Sequence, residues 1–266
     1  MNYRDVYRQW IEDPYYDEET KAELLAVKDE KEIEDRFYKD LEFGTGGMRG
    51  IIGAGTNRLN KYTVRKAAQG LANFIKKQGQ SDMGVAIAYD SRRCSYEFAM
   101  ETALVMAANN IKAFLFDELR PTPELSFAVR YLGCAAGVVI TASHNPKEYN
   151  GFKAYGSDGC QLPPKESDEV IKEVESIKDI SEIGCIKKEE ALEQGLLEII
   201  GKDVDDAYIN VVKSEGINPE LCRKYGKDTK IIYTPLHGSG NKPVRRVLKE
   251  IGFDNVLVVK EQELPD

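Results

Sequence analysis

Gly137-Val-Val-Ile-Thr-Ala-Ser-His-Asn-Pro146 decides how the chain is read. With Ala136 it opens on a short apolar run that does not alternate in polarity. Strands of that kind are buried on both faces, as in the sheet of an α/β fold. The second half is polar and ends at Pro146, which cannot extend a ladder and turns the strand into a loop. Ligands of open α/β sheets sit beyond the carboxyl ends of strands, so Ser143 is presented where a ligand would bind. Taken alone, Ser-His-Asn-Pro is also ordinary turn chemistry. The neighbouring sequence has to separate the two.

Outward from this stretch, strands and helices alternate. Residues 85–88 and 113–116 read as further short buried strands. Helical periodicity runs from a Thr63 cap through Ile75, from Ser95 through Ala108, and from Pro121-Thr-Pro123 to Tyr131. Tyr149-Asn-Gly-Phe-Lys153 follows the serine loop directly. Its Asn150–Gly151 pair signals a turn that would fold a hairpin, make 152–155 a short strand, and return Lys153 to Ser143. After Pro163–Pro164 an amphipathic helix extends to about Ile177, and a weakly patterned stretch to Gly201. A second α/β unit then begins: helix 204–213, strand 230–233, helix 242–251, strand 256–259. A single strand–helix–strand cannot bury both its faces, so this unit reads as unfinished. Before Gly44, residues Val6, Trp10 and Ile11, then Leu24, Leu25 and Val27, then Ile33, Phe37 and Leu41 mark three helices. The expected organisation is a helical extension (1–40), a three-layer α/β/α domain (41–198) and the start of a second α/β domain (199–266).

Composition bounds what such a chain does. Its 266 residues are 42% hydrophobic and 31% charged, a globular profile, and no apolar run is long enough to cross a bilayer. A net charge of −8 disfavours nucleic acid as partner. No secretory signal follows Met1, and the five cysteines are scattered without a C-x-x-C pair, so reduced thiols and a cytoplasmic location are expected, with no membrane partner. Two histidines exclude a multi-histidine metal centre. The charge is uneven: residues 1–42 carry 7 Lys/Arg and 14 Asp/Glu, whereas 43–81 carry 7 Lys/Arg and no acid. A basic island in an acidic chain is where an anionic ligand is sought.

A serine hydroxyl beside an ammonium and an imidazole has what phosphoryl transfer needs, since that chemistry rests on positioning and cationic stabilisation of spread oxygen charge. A serine hydrolase would want a G-x-S-x-G elbow, and Ser143 is instead flanked by Ala142 and His144.

Thr141-Ala-Ser-His-Asn-Pro146 with Tyr149-Asn-Gly-Phe-Lys153 resembles the active-serine loop of the α-D-phosphohexomutase superfamily. Phe43-Gly-Thr-Gly-Gly-Met-Arg-Gly50, Tyr89-Asp-Ser-Arg-Arg93 and Thr234-Pro-Leu-His-Gly-Ser-Gly240 resemble three further loops of that superfamily, in order. The acidic preamble and Ile52-Gly-Ala-Gly-Thr-Asn-Arg58 are closest to its phosphoglucomutase branch. The resemblance implies that Ser143 carries a phosphoryl group whose oxygen also ligates Mg²⁺. Arg49 would reach phosphoserine and substrate, as a planar guanidinium suits phosphate. Lys153 would exchange a proton with the sugar hydroxyl and bind and stabilise the transferring phosphoryl group, and His144 would orient the network, a plain structural hydrogen bond being its alternative. Arg92 and Asn145 would bind phosphate; Arg92 and Arg93 would add charge to the cleft, with a surface salt bridge the preferred reading for at least one of them; His237 reads as a loop hydrogen-bonder, a site residue being its alternative. The implied reaction interconverts glucose 1-phosphate and glucose 6-phosphate, with glucose 1,6-bisphosphate as intermediate and activator. Phosphomannomutase and phosphopentomutase are the alternatives, and a non-catalytic phosphosugar-binding module the alternative class. One departure stands out. The D-x-D-x-D-R loop that holds Mg²⁺ in the superfamily is missing, and Asp203-Val-Asp-Asp206 reads as an acidic helix start rather than a substitute. The remaining metal ligands are therefore expected beyond Asp266, and the chain by itself is expected to show little mutase activity.

Overall fold

A computed structural model describes residues 2–265. Three helices come first: α1 (Tyr3–Glu12), α2 (Glu18–Ala26) and α3 (Glu30–Phe37), whose starts are capped by the side chains of Asn2, Asp17 and Asp29. They close over an aromatic core in which Trp10 stacks on Tyr16 at 4.3 Å and meets Phe37 and Tyr62 edge-on. The third helix stops at Phe37, so Leu41 lies in the following loop.

The central sheet has seven strands. In chain order they are β1 (Phe43–Gly44), β2 (Gly47–Ile51), β3 (Val85–Tyr89), β4 (Ala113–Phe116), β5 (Ala136–Ile140), β6 (Tyr149–Gly156) and β7 (Leu197–Ile200). Across the sheet they run β1-β2-β6-β5-β3-β4-β7. β5, β3, β4 and β7 are parallel, while β6 is antiparallel to both of its neighbours. β3 and β5 are buried along their whole length. Along β3, Val85, Ile87 and Tyr89 enter one core with α4 (Lys61–Lys77), α5 (Ser95–Ala108) and α7 (Pro164–Ser176). Ala86 and Ala88 enter the other, with α6 (Thr122–Tyr131) and the start of α9 (Lys202–Ser214). Period-two alternation thus feeds both faces of one strand, which is the three-layer α/β/α arrangement read from the apolar runs.

Four local expectations are corrected. The cap of α4 is Asn60, whose Oδ1 accepts from Tyr62 and Thr63; Thr63 is the N3 partner of a capping box. Asn150–Gly151 is no turn but the second and third residues of β6. A side chain at Gly151 would bring its Cβ to 2.7 Å from the Thr141 carbonyl and 2.8 Å from that of Met48. Glycine is there because two strands crowd it. Gly151→Ala is accordingly expected to cost about 2 kcal/mol of stability, measured by denaturant unfolding. β7, preceded by the short α8 (Lys188–Glu193), lies in the stretch without pattern, because Glu198 and Ile199 are exposed on this edge strand and blur the buried-strand signature. Finally, α10 (Pro219–Tyr225) is an unanticipated helix before the second, two-stranded parallel sheet of β8 (Ile231–Tyr233) and β9 (Val256–Val258), with α11 (Asn241–Glu250) between them. Ile232 and Leu257 of that sheet are 68% and 49% exposed, the open face expected of a lone strand–helix–strand. Asp205 and Asp206 sit within α9 and pair with Arg120 and Lys202, as the helix-start reading required.

Candidate active site

The loop between β5 and β6 carries Ser143 past the carboxyl end of β5, next to the loop that leaves β3 at Asp90. Its hairpin geometry brings Lys153 back, since Lys153 pairs across the ladder with Val139. Lys153 Nζ donates to Ser143 Oγ at 2.6 Å. Ser143 adopts φ 56°, a left-handed backbone that non-glycine residues seldom hold without other structure enforcing it. Here Thr141 Oγ1 accepts the Ser143 N–H at 3.0 Å, and Asn145 N–H donates to the Ala142 carbonyl.

Most of the enforcement comes from Arg92. Its Nη1 donates to the carbonyls of Pro146 (2.8 Å) and Tyr149 (3.0 Å), and its Nη2 to those of Ser143 (2.9 Å) and Asn145 (2.7 Å). The remaining Nε lies 3.5 Å from Asp90 Oδ2. A guanidinium has five N–H groups, and four hydrogen bonds from this one go to carbonyls of the serine loop. Arg92 therefore holds the serine loop. The frame behind it is polar and buried: Asp90 Oδ1 accepts from Ser95 Oγ and from the Arg92 N–H, while fully buried Asn150 donates to Ser95 Oγ and to the Arg93 carbonyl. From the sequence, Asp90, Ser95 and Asn150 carried no role at the site. The signal available was that Tyr89-Asp-Ser-Arg-Arg93 and Thr141-Ala-Ser-His-Asn-Pro146 follow strands that turned out to be neighbours.

Arg49 arrives from β2, opposite Gly151, and its Nη1 donates to Asn145 Oδ1 at 2.7 Å. Burial, then the nearby Arg49 charge, holds the Lys153 ammonium below its ordinary value, with Asp90 opposing. His144, Arg93 and His237 are exposed and line the same cleft of about 600 Å³ as Ser143. His237 also has a left-handed backbone, φ 56°, and comes from the loop before α11. His144 and His237 thus line the same cleft as the serine, each from a loop.

The basic island proves to be matched rather than free. Arg58 pairs with Asp35 (2.6 Å), Lys66 with Asp40 (2.7 Å) and Lys61 with Asp17, all acids of the helical extension. Arg65 pairs with Glu101 and Lys77 with Glu173. Of the seven cations, Arg49 is the one that reaches the serine loop. Among the described residues no group of three His, Cys, Asp or Glu is placed to hold a metal ion, so these residues do not by themselves make a Mg²⁺ site. None of their helices is long and apolar enough to cross a membrane.

Residues 40–181 match the model for phosphoglucomutase/phosphomannomutase, alpha/beta/alpha domain I, and residues 206–266 that for domain II. A phosphoglucomutase of Staphylococcus haemolyticus is 40% identical over 230 residues, covering 86% of this chain and 40% of that protein. One from Staphylococcus saprophyticus is 37% identical over 257 residues, covering 97% and 45%. The chain thus spans less than half the length of these relatives. Among solved structures, a Thermus thermophilus protein superposes with a TM-score of 0.65 at 24% identity, over 85% of this chain and 47% of the other. Parafusin from Paramecium does so with 0.62 at 17%, over 83% and 43%, so fold is what these two share with it.

Proposed function

The chain belongs to the phosphoglucomutase/phosphomannomutase family, and from that premise we propose that it carries the phosphoserine part of a phosphohexomutase that interconverts glucose 1-phosphate and glucose 6-phosphate. The observation that carries this reading is the 2.6 Å contact from Lys153 to a serine held in a left-handed turn at the sheet edge. In the proposed reaction, phosphorylated Ser143 gives its phosphoryl group to a sugar hydroxyl. The P–Oγ bond breaks, a P–O bond to the sugar forms, and one proton passes from that hydroxyl to Oγ. Lys153 is the group positioned to relay it, and a lowered proton affinity suits a residue that must both take and give. Arg49 and Asn145 offer donors to the phosphoryl oxygens, and His144 orients the network. The second transfer returns phosphate from the 1,6-bisphosphate to Ser143. Enzymes of the family use Mg²⁺, whose ligands other than the Ser143 phosphate are proposed to come from outside the residues seen here. The division into extension, serine-bearing domain and second domain belongs to the same reading, with the second boundary moved from 198 past β7, since Ile199 and Ile200 still pair with β4. So does a cytoplasmic location, with a phosphosugar as the partner.

The test is covalent. In an enzyme that joins these residues to the metal loop of the family, Mg²⁺ and labelled glucose 1,6-bisphosphate are expected to place one phosphate on Ser143, mapped by phosphopeptide analysis and discharged by glucose 1-phosphate or glucose 6-phosphate, whereas the chain by itself should turn over little. Ser143→Ala should gain none. A wild-type serine that stays unmodified would favour the non-catalytic binding module. Discharge by mannose or ribose phosphates in preference to glucose phosphates would move the substrate to the phosphomannomutase or phosphopentomutase alternative.

A further inference from the structure

We infer that the acidic helical extension is a positioning element for the Arg49 strand, acting through a lock of Glu23, Arg36 and the Ala54 backbone; as a contribution to catalysis this rests on the function proposed above. Both Glu23 oxygens accept the Ala54 N–H, each at 3.1 Å. Arg36 Nη1 closes the triangle, donating to Glu23 Oε1 at 2.5 Å and to the Ala54 carbonyl at 2.9 Å. The segment after α3 continues the grip. Thr56 Oγ1 donates to the Lys39 carbonyl at 2.7 Å, the Leu41 N–H to the Thr56 carbonyl at 2.7 Å, and the Asn57 N–H to the Arg36 carbonyl at 2.9 Å. Contact is close enough that a Cβ on Gly55, whose φ is +134°, would lie 2.7 Å from the Arg36 carbonyl.

What is gripped matters more than how firmly. Residues 52–58 leave β2 directly, with Arg49 two residues before the strand ends at Ile51. Their first N–H, on Ile52, donates at 2.8 Å to the carbonyl of Glu148, inside the serine loop. The extension therefore holds a segment bonded on one side to the Arg49 strand and on the other to the loop that carries Ser143. An ion pair elsewhere on the extension, Arg4 with Glu30 at 2.7 Å, is exposed at both ends and touches none of this.

The Ile52 N–H reports on the lock without any turnover, because it joins the gripped segment to the serine loop. The experiment follows backbone hydrogen exchange by NMR in the folded protein. Glu23→Ala is expected to speed exchange at Ala54, whose N–H loses its acceptor, and at Ile52 by about 10-fold or more. Glu23→Gln, which keeps the shape and one acceptor, should speed Ile52 less, and Arg4→Ala not at all. In parallel, Glu23→Ala should slow Ser143 phosphorylation by about 10-fold or more. Unchanged exchange at Ile52 in folded Glu23→Ala overturns the inference; if that variant does not fold, unchanged exchange at Ile52 in Glu23→Gln does so. Equal changes from Arg4→Ala would also overturn it, since they would reflect general loosening. Exchange needs no phosphoryl transfer, so a wild-type Ser143 that never accepts phosphate would defeat the proposed function and leave this result standing.

Discussion

Lys153→Met is expected to slow phosphorylation of Ser143 by glucose 1,6-bisphosphate by about 10³-fold, measured as single-turnover label incorporation. The ammonium is in hydrogen-bond contact with Oγ, so its loss removes both the proton relay and the positive charge beside the transferring group. Methionine preserves the length of the chain and its packing on β6. The same substitution should leave the protein as stable or more stable near neutral pH. A lysine whose folded value lies below its unfolded one binds fewer protons when folded, so it weakens the fold while charged. In the wild type that penalty is relieved as pH climbs from the folded value through the unfolded one, about 10.4. Methionine has no such penalty at any pH, and thermal unfolding at two pH values reads the difference.

Arg92→Leu is expected to be comparably severe, by another route. It strips the donors from four carbonyls, those of Ser143, Asn145, Pro146 and Tyr149, in a loop whose central residue has a strained backbone. Hydrogen bonds from a charged donor are each worth about 1.5–3 kcal/mol, though solvent replaces part of that on the exposed side of the loop. Ser143 should then relax toward ordinary backbone angles and drift from Lys153. Label incorporation is expected to fall about 100-fold, with the sheet intact by circular dichroism. Arg92→Lys should recover little, because one ammonium cannot reproduce a planar fork that serves four acceptors. A variant that binds phosphosugar weakly but phosphorylates Ser143 at the normal rate would return Arg92 to a phosphate-binding role.

The central layer was legible because burial on both faces leaves an unmistakable apolar run, and β3, β4 and β5 fall where such runs lie. β7 was not, since an edge strand shows solvent a face and loses that signature. Asn150–Gly151 misled for a different reason. A turn signal is local, whereas the demand for glycine at 151 comes from Thr141 on one side and Met48, about a hundred residues away, on the other. Even so, Lys153 was expected beside Ser143, because any hairpin there returns the chain, whichever residues turn it. Arg92 is the opposite case. Its residue type announced phosphate, and only the spatial meeting of two strand ends reveals that its partners are carbonyls. The basic stretch after Phe43 likewise looked like a ligand site, until the folded extension laid Asp17, Asp35 and Asp40 against it.

The two contacts at Ser143's loop differ greatly in how much chain they enclose. The Lys153–Ser143 bond joins residues 10 apart, and the Arg49–Asn145 bond joins residues 96 apart. In chain entropy the longer closure costs about 2 kcal/mol more. The serine and its lysine are thus a local product of one hairpin, largely self-assembling once β5 and β6 pair. Arg49 has no such advantage, and must be recruited against the freedom of nearly a hundred intervening residues. A fold built this way assembles its reactive pair cheaply and depends on the surrounding sheet to bring in the second charge.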